Sequence, residues 1–453
     1  DRGAYVVVAN ARRTRMDDFA SATITYTPGA AAQAMHNLKD EQADIASKLA
    51  EAENLIIVTG AEGLTLDGSR ALMQAAANFL IDSKHVGRPN NGLLSAFPGP
   101  NGMGQYYMGY TPEDGFFGSW DMTAEQKMMY FLGAGSPTFP TEPEMFYRFA
   151  RPTGSYSGLP GMIRSPAGSL FVYQFSHAWY DFRMLEDKNG TDWFYNSVIA
   201  TLSNRRHGIN QAEKLKTGPD DWGFTACDGP DGYNGSYGAP PRANTGREDG
   251  TVPPCGPAGS IVFTPEYSVS ALRHMKESVP GILGEWGFKD AYNRNHSPVW
   301  VARDVIGIDK GITILMLENY LTGFVWEINS RIQYLNTGMD KSGLVEKDDY
   351  DKPQFYLAVP DGGRAPGDKI QAVWHYWDIK NRDYFVTDIS WYRSKHLDGP
   401  WEKIDNASGI EYVIRNDDSE HFISFSINGK YIDGSRHINL EKIQSKPFGT
   451  IFR

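Results

Sequence analysis

The sequence has few of the residues that cross-link small folds or bind metal clusters. It contains only two cysteines, Cys227 and Cys255, in 453 residues. Two cysteines cannot build a disulfide scaffold, hold an iron–sulfur cluster alone, or form a four-ligand structural zinc site without histidines. The sequence leaves open whether the two pair with each other.

Positive charge and long apolar runs are also scarce. There are 44 lysines and arginines against 55 aspartates and glutamates, which gives a net charge of −11. Because no basic stripe is available to neutralise phosphates, the charge argues against a nucleic-acid partner. The best apolar run, Gly311–Leu317, is far too short to span a membrane. The chain begins at Asp1 with neither a methionine nor a signal peptide, so we expect targeting information to be absent or removed.

The chain is too long for one ordinary core, and its residue pattern changes twice along the sequence. We therefore predict a multidomain protein. Residues 1–112 predict an α/β segment with a parallel sheet, because short β-branched runs alternate with helical stretches. The predicted strands and helices are Tyr5–Asn10, Gly29–Ala52, Leu55–Gly60 and Gly68–Ser83. Residues 113–342 are helical and aromatic, with long Gly/Pro loops.

Residues 343–453 predict an all-β sandwich. Polar and apolar residues alternate there in strand-length runs, separated by turn dipeptides such as Asn428–Gly429 and Asp433–Gly434. The predicted strands include Ile370–Trp377, Tyr384–Tyr392, Glu411–Ile414 and His421–Ile427. Tryptophans in such a domain are core residues by default, although they can also stack on sugars.

Two stretches of the middle segment suit a carbohydrate. Residues 169–183, SLFVYQFSHAWYDFR, combine six aromatics with a histidine, an aspartate and an arginine, and residues 222–241 form a Gly-rich loop with carboxylates and tyrosines. A sugar offers apolar C–H faces for stacking and hydroxyls for hydrogen bonds to charged groups. The alternative is a buried helix followed by a surface connection.

The middle segment resembles the glycoamylase-like domain of bacterial glycoside hydrolases, a group that includes endo-β-1,2-glucanases. The resemblance implies an (α/α) toroid whose helix-connecting loops form a sugar cleft, with a β-glucan, most simply a β-1,2-glucan, as substrate. It also favours a periplasmic or secreted location. The matching motifs are GSWDMTAEQKMMYFLGAGSPT (118–138), SLFVYQFSHAWYDFR (169–183), DWFYNSVIATLSNR (192–205), DWGFTACDGPDGY (221–233), DGTVPPCGPAGSIVFTPE (249–266), GEWGFKDAYN (284–293) and VIGIDKGITILMLENYLTG (305–323).

Two carboxylates are the candidate catalytic groups, because glycoside hydrolysis needs one acid to protonate the leaving oxygen and a second carboxylate to activate water or attack carbon. Glu125 is predicted one turn into a helix that starts near Trp120, among apolar neighbours that disfavour its charged form. By resemblance it matches an acidic position of the family, and we expect a general acid. The alternative is a glutamate stabilised by the helix dipole. Asp309 is the candidate base, or simply the N-cap of the following helix.

The remaining candidates are substrate contacts. Carboxylates in the Gly-rich loop are candidate acceptors for sugar hydroxyls, and its aromatics are candidate stacking surfaces, although Asp-Gly-Pro-Asp-Gly is also good turn chemistry. Glu318 is a third carboxylate, and His177 is expected to be packed rather than catalytic. No metal site, cofactor site or Ser–His–Asp set stands out. The predicted substrate-binding residues are Trp179, Arg183, Trp222, Asp228, Asp231, Tyr233 and Glu318.

The flanking segments resemble other proteins. Residues 5–38, 56–64 and 87–109 resemble the molybdopterin-oxidoreductase-like domain of the large iron–sulfur subunit of respiratory NADH dehydrogenase, without its cluster-binding cysteines. The motif WYRSKHLDGPWEKIDNASGIEYVI (391–414) resembles bacterial immunoglobulin-like repeats, which serve as spacers or binding platforms.

These resemblances predict a mosaic. The middle segment has patterns for about six to eight of the twelve helices of a closed toroid. We therefore expect an incomplete toroid, whose exposed apolar flank must be covered by the first segment or by a partner. An incomplete cleft would bind an oligosaccharide without cleaving it. The alternatives are a non-catalytic carbohydrate-binding or structural multidomain protein, and a composite chain with no integrated function. The sequence does not determine the oligomeric state.

Overall fold

The chain folds as two units. A computed structural model describes residues 3–60, 66–95, 104–111, 115–138 and 140–452. The first unit comprises Asp1–Ser119 and Leu132–Met145, and the second comprises Trp120–Phe131 and Phe146–Arg453. Within the described residues, no helix combines the length and the apolar character that crossing a membrane requires.

The first unit mixes short helices with paired strands, in the order that the sequence predicts. The pairs β1–β2 and β3–β4 are parallel, with Val7 opposite Ala22 and Ile56 opposite Gly92. They form two separate two-stranded sheets in the described part of the chain, so the expected single parallel sheet is not seen there. The elements are β1 (Val7–Asn10), β2 (Ala22–Thr25), α1 (Ala31–His36), α2 (Leu38–Glu41), α3 (Ala43–Glu51), β3 (Ile56–Thr59), α4 (Leu66–Asp82), β4 (Gly92–Ser95), β5 (Gly109–Thr111) and β6 (Gly115–Phe117).

One hydrophobic cluster of this unit consists of Leu38, Ala46, Leu55, Phe79 and Leu80, which helices and one strand end bring together. A strand buried on both faces was expected at 55–60, but Ile56 and Val58 are exposed. Only one face of β3 is therefore covered.

The second unit starts with the predicted helical segment. Its helices are α5 (Lys127–Gly135, within which the two units divide), α6 (Phe171–Trp179), α7 (Trp193–Asn210), α8 (Ala212–Leu215), α9 (Cys255–Gly259), α10 (Pro265–Ser278), α11 (Gly307–Leu321), α12 (Phe324–Ser330) and α13 (Gln333–Lys341). Short strands join them: β7 (Thr153–Gly154), β8 (Met162–Ile163), β9 (Leu185–Asp187), β10 (Cys227–Gly229), β11 (Gly232–Asn234), β12 (Thr251–Val252), β13 (Leu283–Gly284), β14 (Gly287–Phe288), β15 (Tyr292–Asn293), β16 (Trp300–Val301) and β17 (Leu344–Glu346).

Local chemistry sets where several of these helices begin. The Asp192 side chain accepts a hydrogen bond from the Tyr195 amide at 2.8 Å and caps α7. Pro265 occupies the first position of α10, where its missing N–H costs nothing. The helical character of the middle segment is confirmed, whereas the toroid stays a prediction.

Helix α6 lies at the centre of this helical part, because seven of its nine residues are buried, polar ones included. It packs against α7, α9, α11 and α12. The Trp326 indole donates to the His177 carbonyl at 2.6 Å, and Asn319 donates to the Ala178 carbonyl at 2.9 Å. His177 itself is buried, with Nε2 2.9 Å from the Ser197 hydroxyl, so the prediction that it is packed is confirmed.

The last hundred residues form the predicted β-rich region. One sheet has the order β18–β19–β22, and the other has β21–β20–β23–β24 with β25 beside β23. Strands β18 and β23 bring the two sheets into contact. The strands are β18 (Gln354–Gly362), β19 (Lys369–Trp377), β20 (Tyr384–Ser394), β21 (Glu402–Ser408), β22 (Glu411–Val413), β23 (Phe422–Asp433), β24 (Arg436–Asn439) and β25 (Ile443–Gln444).

One of the two predicted turns is wrong. Asp433–Gly434 does join β23 to β24, but Asn428–Gly429 lies inside the long strand β23, opposite Val386 and Asp388. A Cβ at position 429 would come within 2.7 Å of the Phe355 ring. The glycine therefore permits close packing between the sheets rather than a reversal of the chain.

The helical and β-rich parts are joined by buried charge. Asp361 of β18 accepts hydrogen bonds from Arg205 at 3.0 Å and from Arg206 at 2.9 Å, both on α7. Strand β17, just past residue 343, pairs with β9 of the helical part. The helical and β-rich parts are therefore connected by an ion-pair cluster and by a strand pair within one unit.

We expect Asp361→Asn to destabilise this unit, because two largely buried guanidinium groups would lose their counter-charge. Breaking a buried ion pair from one side costs about 3–5 kcal/mol of unfolding free energy. Urea unfolding followed by circular dichroism measures this change. Glu411→Gln, which removes an exposed ion pair with Lys369 on the same sheet, is the matched control and should leave the unfolding midpoint where it is. Equal midpoints for both variants would contradict the assignment.

Candidate active site

Asp309 lies in the first turn of α11, as the third residue of the helix. The helix begins at Gly307 with Ile306 as its N-cap, so the alternative that Asp309 is the N-cap is wrong. The Asp309 side chain is buried, with 4% of the residue exposed. A carboxyl at a helix start is electrostatically favoured, but burial at this level needs polar partners.

The principal partner of Asp309 is a second carboxyl, Asp290. Asp290 lies in the loop between β14 and β15, is also 4% exposed, and lies close enough to Asp309 for its charge to raise the pKa of Asp309. The backbone amide of Asp228, in β10, donates to Asp290 Oδ2 at 2.7 Å. Three segments far apart in the sequence thus converge on one carboxyl pair.

The pKa values of both carboxyls are raised. Burial, followed by the charge of Asp290, raises the pKa of Asp309 to about 8. Burial also raises the pKa of Asp290, although the hydrogen bond from the Asp228 amide opposes that rise. We therefore expect the pair to keep one proton at neutral pH, with Asp309 as the group that holds it.

Two buried thiols line the pair. Cys227 and Cys255 are both free, and both lie close enough to Asp290 and Asp309 for these carboxylates to affect the pKa values of the thiols. Burial raises the pKa of both thiols well above the usual range, and the nearby carboxylates raise it further. Both cysteines are therefore neutral at physiological pH. In the described part of the chain, no group of three or more metal-ligating side chains is found.

Glu125 lies in a turn, two residues before α5 begins at Lys127, so the predicted helix start near Trp120 is wrong. The Gln126 side chain explains the difference, because it accepts from the Ala124 amide and donates to the Met122 carbonyl, both at 2.8 Å. These bonds hold the backbone in a turn. Burial raises the pKa of Glu125, in the direction that the sequence predicted, although the charge of Lys127 opposes it.

Lys127 is a residue that the sequence reasoning missed. It is almost fully buried, with Nζ 3.3 Å from the Ala124 carbonyl and 4.9 Å from the centre of the Trp193 ring. Burial lowers the pKa of Lys127 to about 7, against the attraction of Glu125 and with the repulsion of Arg151. A buried lysine beside a half-buried glutamate couples the protonation of the two groups.

Of the predicted substrate contacts, Asp228 and Tyr233 lie beside the carboxyl pair. They face each other across the β10–β11 hairpin. Tyr233 is 56% exposed, and its pKa is raised by burial and then by the charge of Asp309. Burial and the charge of Asp304 raise the pKa of Asp228. Asp231, at the hairpin turn, is exposed and pairs with Arg247 at 3.0 Å.

Other predicted contacts are placed elsewhere. Trp222 is 0% exposed and packs in the core, so it offers no surface to a sugar, and that prediction is corrected. Arg183 is bound by both oxygens of Asp181 and lies 4.5 Å and 5.0 Å from the ring centres of Trp326 and Trp377. This position joins the helical part to the β-rich part. The Arg183 side chain stays partly exposed, so its role in substrate binding stays a prediction.

Two predicted contacts are not joined to the pair by any described interaction. The Thr322 hydroxyl donates to the Glu318 carboxylate at 2.6 Å. Glu318 is nine residues after Asp309 on α11, and so lies about 13 Å further along the helix axis. Trp179, the last residue of α6, is partly buried, and its carbonyl accepts from Asn329 at 2.9 Å. Their roles in substrate binding stay predictions.

The helical segment is similar in sequence to a known protein family. Residues 118–333 match the glycoamylase family model, described as "Putative glucoamylase". An exo-β-1,2-glucooligosaccharide sophorohydrolase (non-reducing end) from Parabacteroides distasonis is 33% identical over 166 residues, which is 36% of this chain and 22% of that protein. The chain thus spans about a fifth of the length of this curated relative.

The solved structures that resemble this chain carry similar names, but their sequence identity and structural similarity to it are low. A putative glucoamylase from Bacteroides uniformis is 26% identical, with a TM-score of 0.49 and coverage of 70% of each chain. An endo-β-1,2-glucanase from Chitinophaga pinensis is 23% identical, with a TM-score of 0.48 and coverage of 62% of this chain and 66% of the other.

The predicted resemblance of the middle segment is therefore confirmed, whereas the oxidoreductase-like and immunoglobulin-like resemblances of the flanking segments stay predictions. Residues 118–333, just under half of the chain, resemble the glycoamylase family and share sequence with a protein named for its action on β-1,2-glucooligosaccharides.

Proposed function

We propose that this protein is a glycoside hydrolase that cleaves β-1,2-linked glucan or its oligosaccharides. The name of the Parabacteroides distasonis relative, over the 166 residues that it shares with this chain, supports the substrate. The carboxyl pair carries the proposal, because a buried pair that holds one proton and one negative charge is unusual outside sites that perform acid–base chemistry.

The carboxyl pair supplies one of the two catalytic groups that hydrolysis requires. Acid and base, or acid and nucleophile, in glycoside hydrolases are separated by about 5–9.5 Å, whereas Asp290 and Asp309 are neighbours that shift each other's pKa. They therefore act together as the base, with ionised Asp290 receiving a proton from water and protonated Asp309 holding it in position. The other half is Glu125, whose raised pKa suits a general acid.

The substrate would lie over the β10–β11 hairpin. Exposed Tyr233 offers an aromatic face, and Asp228 offers carboxylate oxygens to sugar hydroxyls. A second candidate function, oligosaccharide binding without cleavage, is favoured by the low exposure of Asp290 and Asp309. An assay that follows both affinity and new reducing ends separates the two functions.

We expect Glu125→Gln, Asp290→Asn and Asp309→Asn each to lower the rate of reducing-end release from linear β-1,2-glucan by about 10²–10⁴-fold, the usual contribution of a general acid or base. Asp405→Asn, at an exposed aspartate of β21, is the control and should keep the full rate. Full activity of the Glu125→Gln variant would show that Glu125 is not the general acid. Oligosaccharide affinity without hydrolysis by the unmodified protein would favour the binding function.

The raised pKa of Asp309 also predicts a pH dependence of stability. Its pKa rises from 3.8 in an unfolded chain to about 8 in the fold, so its stabilising contribution is complete below about pH 4 and is lost as the pH rises to about 8. Asparagine cannot ionise, so Asp309→Asn does not lose stability in this way. The melting temperature of the variant, relative to that of the unmodified protein, should therefore rise as the pH increases from about 4 to about 8. Scanning calorimetry at several pH values measures the difference. A difference that does not change with pH would contradict the shared proton.

A further inference from the structure

Trp286 is an exposed indole that neither the sequence analysis nor the proposed mechanism uses. It lies in the two-residue turn of the β13–β14 hairpin, where Leu283 pairs with Phe288 and Gly284 with Gly287. With 71% of its surface exposed, it is among the most exposed aromatic residues of the described chain. A single exposed apolar residue is ordinary in itself, so its position has to carry the argument.

The hairpin is fastened at its base. The Lys289 amide donates to the carbonyl of Ile282 at 2.7 Å, and Ile282 is buried. The Lys310 ammonium donates to the Phe288 carbonyl. A Cβ at position 287 would lie 4.0 Å from Lys310 Nζ. Lys310 thus holds the β14 strand against the first turn of α11, next to Asp309.

The hairpin also leads directly to the carboxyl pair. Asp290 is four residues after Trp286, so the two Cα atoms are separated by at most about 14 Å, the reach of four extended residues. Lys310 interacts electrostatically with both carboxyls of the pair. Trp286 is therefore presented by a short hairpin whose other end contributes a member of the pair.

A second exposed aromatic residue lies on the neighbouring hairpin. Tyr233 of β11 is close enough to Asp309 and Asp290 for their charges to raise its pKa. Two hairpins that meet at one carboxyl pair each expose an aromatic face. Repeated aromatic faces along a path suit a chain of pyranose rings, whose C–H faces stack on them.

We propose that Trp286 is a stacking platform for a glucosyl unit of an oligosaccharide bound at the carboxyl pair, at a distance from the bond that is cleaved. This inference deepens the proposed function and rests on its site. The platform contributes affinity only to chains long enough to reach it, so Trp286 determines the preference for chain length.

Binding calorimetry with linear β-1,2-gluco-oligosaccharides of increasing length tests this in the full chain, in the Asp309→Asn background to prevent turnover. Adding Trp286→Ala should weaken the binding of long oligosaccharides by about tenfold, as expected for the loss of one aromatic contact, and leave the binding of the disaccharide unchanged. Trp286→Phe, which keeps an aromatic face, should restore most of the affinity. Equal affinities of the Trp286→Ala variant and its parent at every length would overturn the proposal.

Two control variants separate stacking from general surface effects. Leu283→Ala changes an exposed residue of the same hairpin, and Phe324→Ala changes an exposed aromatic residue at the start of α12. Both should bind like the parent, and a tenfold loss in either would count against a specific platform. Failure of the proposed function has a different signature: the unmodified protein would bind long oligosaccharides in a Trp286-dependent manner but release no reducing ends. A parent that binds no oligosaccharide of any length would overturn the platform as well.

Discussion

The proposed chemistry depends on the interaction between two buried carboxyls, Asp290 and Asp309. The negative charge of Asp290 and the burial of the site disfavour the ionised form of Asp309, so the pKa of Asp309 is raised. The Asp228 amide fixes the charge on Asp290, and Lys310 offsets part of it. The pair, the first turn of α11 and two hairpins are therefore parts of one electrostatic arrangement.

That arrangement explains why the sequence revealed only half of it. Asp309 stands in a motif before an apolar helix, which made it a candidate. Asp290 lies in the motif GEWGFKDAYN, which carries the family resemblance, but no spacing or periodicity there singles out its carboxyl. Its role arises because loops from distant segments converge, and Lys127 is similarly defined by the Trp193 ring and other surroundings that folding places around it. Local pattern cannot report such encounters.

Elements with strong local signals were predicted well. Helix α4 and strands β19 and β20 lie close to their predicted limits, because periodicity and turn residues decide them locally. Two failures share a cause. Trp222 was assigned to the sugar by residue type, but tertiary packing buries it. Gly429 had the signature of a turn, but it serves close packing between sheets.

The protonation state of the pair is the most direct test of the central claim. Carbon-13 NMR of labelled aspartate carboxyls, titrated with pH and assigned by comparison with Asp309→Asn, reports each group separately. We predict that the Asp309 carboxyl titrates near pH 8, far from an ordinary aspartate. Titration of Asp309 near pH 4, with no signal coupled to that of Asp290, would contradict the account.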